Sequence, residues 1–325
     1  MDTFNTVIAI LATISLFLFS LKGFSKELQK LGAENLQRWL TKVTSNRFSA
    51  FLLGAVVTAI IQSSSVVSSI TVALVDAGVI GFFNSLGVLL GAKVGTSFTA
   101  WLVAFELSFL GSWLLVAGMI ITLVPMRIKL VGKSVFYLGF ILFSLELIKN
   151  GLAPLSESPE ILLWLKQADK LALGLLIGAV VTAMMQSSSV TIGLAIILAG
   201  QGLLGLPGAI AIVVGSNLGT TSTALLASIS LSSWAKKAAF ANLLLNLLGL
   251  ILFVPFLPVF VQFIQNLQLE ITYQVAVAHL LFNLILAVVG LIFLRQFSRL
   301  SLYLSSKLIG RKETSGYSVE AKNSF

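Results

Sequence analysis

Apolar runs of about 20 residues, each closed by a short polar or charged group, recur along this chain. Barrel strands would instead alternate over about ten residues, so the pattern predicts transmembrane helices. The first run covers residues 3–21. The next stretch, 22–48, mixes leucines with Lys22, Lys26, Lys30, Arg38, Lys42 and Arg47; it is too charged to cross and is expected to lie along the membrane surface. Residues 49–77 are apolar again, but Gln62, Ser63, Ser64, Ser65, Ser68 and Ser69 interrupt the middle. Each flank of about 13 residues is too short to span, which predicts a helical hairpin entering and leaving on one side. Run 82–104 is long enough to cross, yet its centre reads Gly91-Ala92-Lys93-Val94-Gly95-Thr96-Ser97, and a broken helix is expected there. A further apolar run, 107–124, closes this half at Pro125, Arg127 and Lys129.

The order then repeats. GAVVTAIIQSSSV at 54–66 returns as GAVVTAMMQSSSV at 178–190, with 11 of 13 positions identical and a constant offset of 124. Leu18-Phe19-Ser20-Leu21 falls on Leu142-Phe143-Ser144-Leu145, and Gly91 to Ser97 falls on Gly215-Ser216-Asn217-Leu218-Gly219-Thr220-Thr221, without a gap. Residues 1–130 are thus read as a first repeat, with its hairpin at 49–77 and broken helix at 82–104. Residues 131–258 are the second, with hairpin 171–200 and broken helix 206–228. One additional transmembrane helix (259–296) and a polar cytoplasmic tail (297–325) complete the chain.

Composition agrees: 57% hydrophobic residues, 10% charged and a mean hydropathy of +1.02 belong to an integral membrane protein. The first run has neither a basic segment before it nor a small-residue cleavage site after it, and is read as a retained helix. There is no cysteine and a single histidine, His279, so disulfides and transition-metal clusters are not expected. Three crossings plus a hairpin make each half an odd number of passes, which inverts the second half relative to the first. Placing the N-terminus outside puts 17 of the 21 Lys and Arg on cytoplasmic segments, as the positive-inside rule prefers. The net charge of +9 is then a matter of topology, not nucleic-acid affinity. The expected fold is an all-α integral membrane protein: two inverted-topology repeats, each with a re-entrant hairpin and a broken helix, the C-terminus cytoplasmic and the two tips meeting near the midplane.

A hairpin tip leaves unpaired N–H groups at the start of its second helix and unpaired carbonyls at the end of its first. Amides, hydroxyls and a positive helix end suit an oxyanion; carbonyls, a Gln oxygen and hydroxyls suit a hard cation such as sodium. A lone Ser-rich turn could simply satisfy its own groups between packed helices, but two identical tips in inverted halves favour the binding reading. The 215–221 segment offers an amide oxygen, hydroxyls and glycine backbone to a small ion, or is a glycine packing notch whose threonines bond to the preceding turn. Lys93 stands where the second repeat has Asn217, about 16 Å from either helix end, too deep for its stem to reach the surface. It is expected to replace one bound cation, or to neutralise part of the anion's charge, or else to pair with Asp76 as a fixed structural bridge. The pairs Asn242/Asn246 and His279/Asn283, each spaced by four, are assigned to interhelical hydrogen bonds.

With its duplicated QSSS and its GSNLGTTSTA segment, the chain resembles the type II sodium/phosphate cotransporter family over about residues 16–294. The resemblance implies sodium-coupled movement of inorganic phosphate by a cell-membrane transporter that is not an enzyme and needs no cofactor beyond sodium as coupling ion. It places Ser63, Ser64, Ser65, Ser187, Ser188 and Ser189 near phosphate. Gln62, Gln186, Asn217, Thr220 and Thr221 would hold phosphate or sodium, with Thr96 and Ser97 matching in the first repeat. Lys93 departs from the family's asparagine and bears on sodium dependence. A sodium-independent or proton-coupled transporter or exporter of phosphate or another oxyanion, an anion channel, and a non-transporting sensor remain as alternatives. Direction of transport and homo-oligomerisation are left open.

Overall fold

The computed structural model describes residues 3–43, 46–105, 107–123, 128–152 and 159–309, and among these it contains helices and no strand. Pro125, Arg127 and the residues beyond 309 lie outside the described residues. The first half comprises α1 (Thr3–Val43), α2 (Arg47–Ile61), α3 (Ser64–Asp76), α4 (Phe82–Ala104) and α5 (Gly111–Leu123). Next come α6 (Ile128–Leu152), α7 (Pro159–Lys166), α8 (Leu171–Met185), α9 (Ser188–Gly200), α10 (Leu206–Gly219), α11 (Thr221–Ser228) and α12 (Ser233–Phe253). The chain ends with α13 (Leu257–Gln265), α14 (Ile271–Ile292) and α15 (Leu294–Ile309). Six segments among the described residues are long and apolar enough to cross a bilayer, so this is a multi-pass membrane protein.

The first hairpin is visible in its packing. Asn46 caps α2, its Oδ1 accepting from the amides of Phe48 and Ser49 at 3.0 and 2.9 Å, while the Ser49 hydroxyl accepts from the Asn46 amide. From there α2 runs parallel to α4: Gly87 lies against Arg47 and Ala50, Gly91 against Phe51, and Gly95 against Ala55 and Thr58. The chain turns at Gln62 and Ser63, and α3 returns to within a short loop of the start of α4. Both ends of the hairpin therefore lie at one end of α4. The second half uses the same contacts 124 residues on, with Gly215 against Leu175 and Gly219 against Ala179 and Thr182.

These glycines correct one expectation. Helix α4 is unbroken from Phe82 to Ala104, and its counterpart is interrupted only at Thr220, whose dihedrals (φ −60°, ψ −24°) are themselves helical. The glycines are contact points and not breaks: a Cβ on Gly91 would sit 1.9 Å from the Phe51 carbonyl oxygen, and one on Gly215 2.1 Å from that of Leu175. Sequence could not separate these roles, because a bent helix and a close helix crossing both select glycine.

Two further boundaries differ. Helix α1 continues through the basic stretch to Val43 instead of stopping at residue 21, since nothing between 22 and 43 terminates a helix: there is no proline, and Gly23 faces the ring of Tyr137 on α6. The region assigned to a polar tail opens with helix α15, which buries Ser298, Ser301 and Ser305 and exposes Leu300, Tyr303 and Leu308.

The two halves interlock. α1 and α6 pack together through Phe19 against Tyr137 and Phe140, with the corresponding Ser20 and Ser144 fully buried. α3 packs on α11 and α12, and α9 on α4, so the returning arm of each hairpin leans on the opposite half. α14 lies across α4, α9 and α10.

Candidate functional site

The two tips adopt one conformation. Gln62 has φ 59° and ψ 28°, Gln186 φ 54° and ψ 28°, and each is followed by an extended serine, Ser63 at φ −149° and Ser187 at φ −150°. A left-handed glutamine closes the first helix and lets the next begin after a single extended residue, at a cost of about 1 kcal/mol or more where glycine would be free of strain. The strained positions are also where the halves meet: the Ser65 hydroxyl donates to the Gln186 carbonyl at 3.2 Å.

The helices behind the tips are capped differently. The Ser63 hydroxyl accepts from the Val66 amide at 3.4 Å, whereas Ser187 makes no side-chain cap, leaving the first amides of α9 without one. Around the tips lies a cavity of about 580 Å³, and Gln62, Ser63, Ser65, Gln186 and Ser187 all face it. Ser64, Ser188 and Ser189 are buried just behind. The two tips thus meet at one cavity.

Most of the remaining candidates are not at this cavity. Thr96 donates to Ala92 O at 2.9 Å, Thr220 to Ser216 O at 2.9 Å, and Thr221 to Leu218 O at 2.7 Å, so each hydroxyl proton serves its own helix. Ser97 accepts from Asn283 Nδ2 of α14 at 3.4 Å. Asn217 is buried, and its Nδ2 has no hydrogen-bond partner among the described residues. Lys93 is buried in α4, with His279 of α14 within electrostatic reach, and forms no ion pair among the described residues. Its proposed partner is engaged elsewhere: Asp76 accepts from the Ser232 amide, the N-cap of α12, at 2.7 Å. Asp76 lies outside the six spans, and hydrogen bonds from the Ser232 side chain and backbone hold its carboxyl below the usual 3.8.

Thr99 was not legible as a site residue. Its hydroxyl donates to Gln62 Oε1 at 2.9 Å and lies 3.5 Å from the Ser189 hydroxyl, so one side chain of α4 reaches both hairpins. Its repeat counterpart, Thr223, lines the cavity but donates to Thr220 O at 2.7 Å. The shared offset in GTSFTA and GTTSTA was the available signal. Helix α1 also contributes Lys22, Ser25 and Gln29 to the cavity wall, a role hidden by reading residue 21 as the end of the span.

Comparison with known proteins places this architecture. The family model described as Na+/Pi-cotransporter matches residues 16–150 and 159–255. "Uncharacterized protein YqeW" of Bacillus subtilis is 33% identical over 298 residues, covering 90% of this chain and 96% of that protein. "Putative inorganic phosphate export protein YjbB" of Escherichia coli K12 is 27% identical over 297 residues, covering 90% of this chain but 55% of that protein. No solved structure matches. On the extent of that match, the chain is a member of the Na+/Pi-cotransporter family.

Proposed function

We propose that the protein moves inorganic phosphate across the membrane, coupled to sodium, by alternating access around the paired tips. The observation that carries this reading is the meeting of two conformationally identical, strained QSSS turns on one cavity. Phosphate suits that setting: the uncapped amides of α9, the serine hydroxyls and the positive helix ends supply donors without a covalent step. In inverted-repeat transporters a site of this kind lies at the repeat interface, and rocking of one part against the other exposes it to either side. The family membership and the phosphate-export description of YjbB support phosphate as cargo. That description also favours outward movement when phosphate is abundant inside.

A second reading rests on Lys93. It stands where the other repeat has Asn217, is buried, and has no carboxylate counter-ion among the described residues, as a fixed charge substituting for one coupling cation would. The test of the main reading is labelled-phosphate accumulation in liposomes under an imposed sodium gradient. Uphill accumulation, lost separately in Ser64→Ala and Ser188→Ala that still fold, is the expected result. Equal rates with and without the gradient would remove sodium coupling, and a silent variant at either serine would remove the two-tip clamp.

A further inference from the structure

The cavity at the tips has a third wall. Helix α1 turns Lys22, Ser25 and Gln29 toward it, residues spaced by three and four and so on one helical face. Ser25 is buried, and its hydroxyl accepts from Gln29 Nε2 at 3.1 Å, which ties together two of the three polar side chains on that face. Among the described residues that line the cavity, Lys22 is the only one that carries a formal charge. Lys93, the cation that sequence singles out, does not line the cavity, and neither does any carboxylate among the described residues.

Resting on the phosphate-transport reading, we infer that Lys22 of α1 is the cationic contact for the transported anion, completing from a third element the site formed by the two hairpin tips. The chemistry is that of a mobile ammonium facing neutral donors. Hydroxyls and backbone amides shape the site for an oxyanion but leave its charge uncompensated, and the Lys22 ammonium supplies that charge without a rigid fork. Its freedom matters, because an anion that is to leave on the opposite side must not be held by a buried, fully hydrogen-bonded pair. Lys22 is exposed, whereas Lys30, two turns on, is already paired with Glu27 Oε1 at 2.6 Å.

Lys26 provides the internal control: it is exposed, lies one turn from Lys22 on the same helix, and does not line the cavity. Full-length wild type, Lys22→Gln, Lys22→Arg and Lys26→Gln would be reconstituted in liposomes. Initial rates of labelled phosphate transport would be measured over a range of phosphate concentrations, with folding checked by thermal unfolding in detergent. Lys22→Gln is expected to raise the phosphate KM on the order of ten-fold, the usual scale for losing one charge-assisted contact, and to leave kcat within about two-fold. Lys22→Arg should restore most of the affinity, and Lys26→Gln should match wild type. An unchanged KM in Lys22→Gln, or equal shifts in Lys22→Gln and Lys26→Gln, overturns the assignment, the second result pointing to surface potential alone. Wild type that transports no phosphate overturns the functional reading itself, a failure separate from that of Lys22.

Discussion

Thr99→Val isolates the contact that ties α4 to the first tip. The substitution keeps the side-chain shape and removes one hydroxyl. Gln62 is 6% exposed, and its Oε1 receives the Thr99 proton at 2.9 Å, so the variant leaves a buried amide oxygen without that donor. An orphaned buried acceptor costs about 1–3 kcal/mol. The 3.5 Å approach of Ser189 is at the limit of a hydrogen bond and adds little. Thr223→Val is the matched control, since its hydroxyl proton goes to Thr220 O within the same helix and its loss should cost under about 0.5 kcal/mol. Equilibrium unfolding in detergent would compare the two. Thr99→Val is expected to be the less stable by about 1–2 kcal/mol, with slower phosphate transport because the left-handed Gln62 is no longer held. Equal stability losses at 99 and 223 would show that the bond to Gln62 does not position the tip.

Other outcomes follow from the same geometry. Gly91→Ala and Gly215→Ala each push a Cβ to about 2 Å from a carbonyl oxygen of the facing helix, and both should sharply reduce the yield of folded protein; a normal elution profile and melting point for either would contradict the close seam. Lys93→Asn, which restores the residue type of the second repeat, is expected to increase the sodium dependence of transport, read as the Hill slope for sodium; an unchanged slope removes the fixed-cation reading. Asp76→Asn should give a small, salt-sensitive loss of stability at neutral pH. The Asp76 carboxyl titrates below its ordinary 3.8 when folded, so its contribution is present above that value and lost as pH falls through the depressed one, and the difference between variant and wild type should close there.

The tips and their pairing could be read from the chain because a 13-residue match fixes register, and because a polar centre between two short apolar flanks has few solutions in a membrane. The character of α4 could not. Gly91, Gly95, Thr96 and Ser97 have the composition of an unwound ion site, yet Gly91 and Gly95 admit the backbone of α2 and Thr96 closes a bond within its own turn. Only the facing helix distinguishes the two, and it comes from 40 residues upstream. Lys22 was hidden for a similar reason: charge placed it at a membrane boundary, whereas the continuous helix α1 carries it to the edge of the cavity. Thr99 and Ser97 acquire their partners from Gln62 and Asn283, contacts across long sequence separations that no local pattern announces.

The glycine seams bear on which parts can travel. Gly54 and Gly91, and Gly178 and Gly215 in the other half, bring backbone against backbone, so at these crossings no side chain stands between the helices to rotate or yield. Each hairpin's outer arm and the span beside it should therefore move as a single lever, while the side-chain contacts of α3 with α11 and of α9 with α4 serve as the sliding surfaces. A chain with no native cysteine is suited to asking this directly. Engineered disulfides across α2 and α4 should leave transport running, and those across α3 and α11 should stop it until reduced.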